Sequence, residues 1–101
     1  DEMLLAARHV IAQGGGVTVV AGDTVIADLS LPIAGLLSPL PLAAVAAGLD
    51  ALDAAAARLG STLEHPLMTL RFLTLSVIPA LKLTDQGLID VTRFTAVAIQ
   101  D

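Results

Sequence analysis

The stretch GGGVTVVAGDTVIADLSLPIAGLLS, Gly14 to Ser38, decides how this chain folds. Val17 to Val20 and Thr24 to Leu29 are rich in β-branched residues and are joined by Ala-Gly-Asp, where Gly22 supplies a left-handed turn residue. That pattern predicts a β-hairpin. Both strands are apolar at nearly every position instead of alternating, so both faces of the sheet are expected to be covered. One cover is the chain's own helices, and the other a neighbouring domain or subunit.

Working outward, the residues before the glycines predict a surface helix from Asp1 to Gln13. Met3, Leu4, Ala7, Val10 and Ile11 fall on one side of a 3.6-residue wheel, with Glu2, His9 and Gln13 opposite. Gly14, Gly15 and Gly16 then serve as a helix C-cap and a loose turn into the first strand. A phosphate-cradling loop needs strand, glycines, helix in that order; here the order is helix, glycines, strand.

After the hairpin, Leu29 to Leu49 is a run of 21 residues without an ionisable side chain. Its length suffices for a membrane span. Pro32, Pro39 and Pro41 lie inside it, however, and an interior proline costs a helix about 3 kcal/mol or more. No Lys or Arg flanks the run. The expectation is therefore a structured loop, with Pro32 and Gly35 shaping its backbone, followed by a core helix. In that helix Leu42, Val45, Leu49, Leu52, Ala56 and Leu59 form the apolar stripe, and Gly60 ends it. Its other face is mostly alanine and poorly solvated, which fits either an interface or the alanine bias of a high-GC genome.

Beyond the polar link GSTLEH, PLMTLRFLTL predicts a short helix opened by Pro66, and Pro79 stops any helix. LKLTDQGLIDV reads as strand, turn, strand with Gly87 at the turn, and FTAVAIQ as a further strand or a docked terminal segment. The expected fold class is α/β of the α+β-like kind. It is a small two-layer domain, a mixed sheet packed by two or more helices, occupying residues 1–101 as a single domain.

Composition excludes several functions. Five basic against ten acidic residues give a net charge of -5, the wrong sign for holding phosphates, and two phenylalanines offer no stacking platform, so nucleic acid is not a partner. The absence of cysteine removes disulfides and thiolate chemistry and fits a cytoplasmic address. Despite a mean hydropathy of +0.84, no membrane span is expected. The opening DEMLLAARHV has no basic leader and no small-residue cleavage site, and reads as part of a longer polypeptide.

A hydrolytic metal centre needs three or more converging imidazoles or carboxylates, but the chain holds only His9 and His65, in no ligand spacing. Both are read as solvated or capping residues. Asp50 with Asp53 is ordinary helix solvation. Asp85 and Asp90 bracket a turn, where Asp85 suits a side-chain bond to the backbone. None of Ser30, Ser38, Ser61 or Ser76 sits in a nucleophile elbow. No catalytic and no metal residue is expected within this chain.

Three blocks in order, GGGVTVV, LSLPIAGLLS and HPLMTLRFLTLSVIPALKLTDQGLIDV, resemble the C-terminal domain of bacterial adenine deaminase, in the amidohydrolase superfamily. The resemblance runs from the first helix to about Val97. It implies a parent enzyme that hydrolyses adenine to hypoxanthine and ammonia at a manganese or iron centre in an upstream barrel of the same polypeptide. None of that barrel's ligand motifs matches a position here, so no cofactor is assigned to this chain.

The resemblance also implies an accessory role in packing, pocket closure or homo-oligomer contacts. Pro32, Gly35, Ser38, Met68 and Arg71 are the candidates for a substrate-side surface abutting the barrel and helping to close the adenine pocket. This sequence departs from the family's LPLPIAGLMS at Ser30 and Leu37, from a frequent acid at Ala80 and from Arg at Gln86. It also lacks the acids that relatives carry along PLPLAAVAAGL. The alternative reading is a free-standing, non-catalytic interaction module with the same fold.

Overall fold

The computed structural model describes residues 1–98 and contains helices α1 (Glu2–Ala12), α2 (Leu42–Arg58) and α3 (Pro66–Thr74). The strands are β1 (Gly16–Ala21), β2 (Thr24–Ser30), β3 (Leu81–Thr84), β4 (Gly87–Asp90) and β5 (Thr95–Ala96). Two compact units divide them, Asp1–Glu64 and the residues from His65 onward.

In the first unit, Asp1 caps α1 by accepting from Met3 N–H at 3.1 Å. The helix ends in a Schellman motif: Gly14 N–H donates to the Ile11 carbonyl and Gly15 N–H to the Val10 carbonyl. The chain then enters the antiparallel β1–β2 hairpin, whose register slips at a bulge between Val19 and Val20. Gly22 turns the hairpin, and its N–H donates to Glu2 at the start of α1, tying the helix to the turn.

The two helices cover opposite faces of the hairpin. Asp28 reaches His9 of α1, its Oδ2 lying 3.6 Å from Nε2, while the next residue, Leu29, points at α2. Successive strand residues face opposite sides, so α1 and α2 cannot share a face. A Cβ on Gly48 would stand 2.9 Å from Leu29 Cδ1; glycine is what lets α2 approach this closely. The core comprises Leu29, Leu31, Leu52 and Ala55. α2 ends in a second Schellman motif, with Gly60 N–H donating to Ala57 and Ser61 N–H to Ala56.

In the second unit, Pro66 occupies the first turn of α3, where its missing N–H costs nothing. β3, β4 and β5 form an antiparallel meander. The Asp85–Gln86 turn is held by Thr84, whose hydroxyl donates to the Gly87 carbonyl and accepts from Gln86 N–H. Thr84, not Asp85, therefore makes the bond to the backbone; Asp85 accepts instead from the Gln86 side chain. Asp90 accepts from Arg93 N–H and pins the next turn. Of the terminal segment, Thr95–Ala96 is a strand, and Ile99 and Gln100 lie outside the described residues.

The α+β class is as expected, and its internal arrangement differs in two respects. Among the described residues the strands form two separate antiparallel sheets, not one mixed sheet, each built from strands that are adjacent in the sequence. The first hairpin also carries a helix on each face, one layer more than the two expected, as its two-sided apolar strands require.

The facing of α1 is a further correction. Leu5, Ala6, His9, Val10 and Gln13 turn toward the hairpin, whereas Met3, Leu4, Ala7 and Ile11 lie outward. No helix among the described residues is long and apolar enough to cross a membrane, and the 21-residue uncharged run divides into the end of β2, a loop and α2.

Candidate functional site

The loop between β2 and α2, residues 31–41, is braced from both ends. Leu31 is buried and its N–H donates to the Gly15 carbonyl at 2.9 Å. Ile33 and Leu37 then pair as a small antiparallel bridge. Between them Ala34 and Gly35 take φ of 56° and 72°, and Leu36 N–H donates to the Ile33 carbonyl. Two consecutive left-handed residues make the tight turn from Ile33 to Leu36, and the three residues Ala34, Gly35 and Leu36 lie between the bridged pair. Ser38 Oγ accepts from Leu40 N–H at 3.2 Å, and the Pro41 carbonyl starts α2 by accepting from Ala44 and Val45.

The glycine triplet belongs to this loop as much as to α1. A Cβ on Gly14 would touch Pro32 at 3.9 Å, and one on Gly15 would stand 2.9 Å from both Gly35 Cα and the Leu31 carbonyl oxygen. At Gly15 and Gly16 the backbone thus lies against the backbone of residues 29–35 with no room for a side chain, whereas Gly14 only touches Pro32. Local spacing shows the C-cap; it carries no signal for this second contact, which depends on a partner some twenty residues away.

Pro32, Gly35 and Ser38 are therefore brought together in one self-braced loop. Its outward surface is apolar: Ile33, Leu36, Leu37 and Leu40 are all exposed, Leu36 at 72%. Ser38 is its only hydroxyl, and that oxygen already accepts a backbone bond. The loop holds no acid or base that could move a proton.

Met68 and Arg71 belong to the second unit. They stand three residues apart on α3, both exposed, while Pro66 and Leu67 are buried. Arg71 lies in the last turn, and its carbonyl accepts from Thr74 Oγ1 at 2.9 Å.

His9 is the residue that local reading misplaces. It is half-buried against the hairpin beside Asp28, not on a solvated face. Asp28, the one acid within the apolar strand TVIADLS, is the sequence feature that marks the side of the hairpin His9 faces. His65 takes the N-cap position of α3. Among the described residues no three His, Cys, Asp or Glu side chains stand close enough to hold a metal ion. The described side chains do not fit a hydrolytic metal centre.

A family model described as the adenine deaminase C-terminal domain matches residues 1–95. An adenine deaminase of Methylobacterium nodulans is 52% identical over 92 residues, covering 91% of this chain and 16% of that protein. One of Oleidesulfovibrio alaskensis is 48% identical over 98 residues, covering 97% of this chain and 17% of its own length. One of Shigella sonnei is 46% identical over 100 residues, covering 99% and 17%. The chain spans about a sixth of the length of these curated relatives. The chain belongs to the adenine deaminase C-terminal domain family.

Proposed function

We propose that this chain is the accessory C-terminal domain of a cytoplasmic, homo-oligomeric adenine deaminase. Its polypeptide carries an upstream amidohydrolase barrel that hydrolyses adenine to hypoxanthine and ammonia. In this reading the domain is one unit of the enzyme, the reaction centre with its manganese or iron lies in the barrel, and the isolated chain is inactive.

The observation that carries the reading is the loop 31–41, whose backbone is satisfied internally while its leucines face outward. A preformed loop loses little conformational freedom on docking, so most of the apolar burial appears as net stabilisation. Its role is to pack on the barrel and exclude water from the substrate side, with Pro32, Gly35 and Ser38 fixing its shape. Met68 and Arg71 supply a second contact, an apolar side chain against the purine and a cation at the pocket's edge.

The experiment is adenine turnover by the full polypeptide carrying Met68→Ala. Removing one apolar pocket contact is expected to lower kcat/KM about tenfold, since such contacts are worth ~1–3 kcal/mol. Unchanged kinetics would remove Met68 from the substrate pocket.

A further inference from the structure

The apolar surface of helix α1 is wider than the hairpin covers. Leu5, Ala6, His9 and Val10 are half-buried, with His9 beside Asp28. Met3, Ala7, Ile11 and Leu4 continue the apolar arc from Val10 round to the outer side of the helix, and Met3 and Ile11 are 83% and 77% exposed. An apolar stripe of this kind left open to solvent marks a surface that another part of the protein covers. We propose that the outer stripe of α1 is an intrachain docking face, covered in the complete polypeptide by an apolar surface of the part that precedes this domain.

The inference rests on the reading of this chain as the C-terminal part of a longer deaminase. The relatives are about six times its length, so most of their polypeptide lies outside the matched region and is available as cover. A second copy of this chain fits the patch less well. Four side chains on one short helix expose a few hundred Å², whereas a stable free-standing dimer needs about 800 Å² per partner. A tethered domain needs far less, because covalent linkage gives an effective concentration on the order of millimolar. The face is also preset. Asp1, the Glu2–Gly22 bond and the Gly14–Gly15 cap fix both ends of α1, so docking orders nothing new.

Met3 is a built-in probe, because oxidation to the sulfoxide requires access to its thioether. The full wild-type polypeptide is treated with dilute hydrogen peroxide, natively and in urea, and sulfoxide at Met3 is followed by peptide mass spectrometry. Adenine deamination is assayed on the same preparation. The expected result is oxidation of Met3 at least about tenfold slower in the native protein, with protection unchanged across a hundredfold dilution. Native oxidation at the unfolded rate overturns the proposal. So does protection that disappears on dilution, which assigns the face to a second copy. An active enzyme with Met3 open overturns the docking face alone. An enzyme inert on adenine with Met3 protected overturns the deaminase reading and supports the docking face.

Discussion

Replacing Gly15 with alanine is expected to destabilise the chain by about 3 kcal/mol, and replacing Gly22 with alanine by only about 1 kcal/mol. Both glycines have positive φ, 124° and 59°, so both substitutions incur the backbone strain of an L-residue in that region. They differ in what the new methyl meets. At Gly22 nothing lies within 4 Å. At Gly15 the methyl meets Gly35 Cα and the Leu31 carbonyl oxygen, each at 2.9 Å, and both are backbone atoms that cannot rotate aside. Relief requires moving the loop 31–35 off the end of α1, which also threatens the bond from Leu31 N–H to the Gly15 carbonyl. Urea unfolding followed by far-ultraviolet circular dichroism, with equal m values as the check on two-state behaviour, measures the difference. Equal losses at the two positions would show that the triplet is only a helix cap.

Leu52→Ala is expected to cost about 3 kcal/mol, within the ~2–5 kcal/mol range for emptying a leucine site that cannot collapse. Among the described residues Leu52 is the one large side chain that is fully buried, with 0% exposure. It sits on the face of α2 that packs against the hairpin, near the Gly48–Leu29 contact. Leu42 lies on the same predicted stripe and is 84% exposed, so Leu42→Ala is expected to change stability by less than about 0.5 kcal/mol. Against the ~5–15 kcal/mol total of a typical domain, the first loss is large and the second invisible. The pair of midpoints in one denaturant series decides whether the hairpin-facing side of α2 is the core.

What was legible in the sequence follows from what is local. Gly22 and the β-branched runs around it place the first hairpin, Pro66 opens α3, and Gly60 ends α2, because each acts through its own φ or its own missing donor. The facing of α1 was not legible. Periodicity counts greasy positions and assigns them inward, but the apolar arc of α1 is wider than the hairpin can cover, and the contacts of His9 with Asp28 and Glu2 with Gly22, some twenty residues away, set which part faces in. Strand β3 shows the same inversion on a smaller scale: Leu81 and Leu83 are exposed while Lys82 and Thr84 are half-buried. Sheet connectivity was not legible either. Each hairpin is specified by its own turn, whereas pairing between hairpins depends on contacts that no spacing records.

The candidate site divides along the same line. That Leu29 to Ser38 is a shaped loop could be read from Pro32 and Gly35. That its brace is the glycine triplet could not, since Gly15 and Gly35 meet only through the fold. The absence of charge from Leu29 to Leu49 reads as greasiness in sequence and becomes an outward apolar surface in the structure. On the proposed function, the exposed leucines of the loop and the outer stripe of α1 share one physical account, as surfaces that the rest of a larger polypeptide would cover.

The central claim is that this chain is the non-catalytic C-terminal part of an adenine deaminase. Its most direct test is release of hypoxanthine and ammonia from adenine by the full polypeptide and by residues 1–101 alone, each supplied with manganese or iron. The account predicts equimolar release of both products by the full polypeptide and none by the chain alone. Deamination by residues 1–101, or a metal-loaded full polypeptide inert toward adenine, would contradict it.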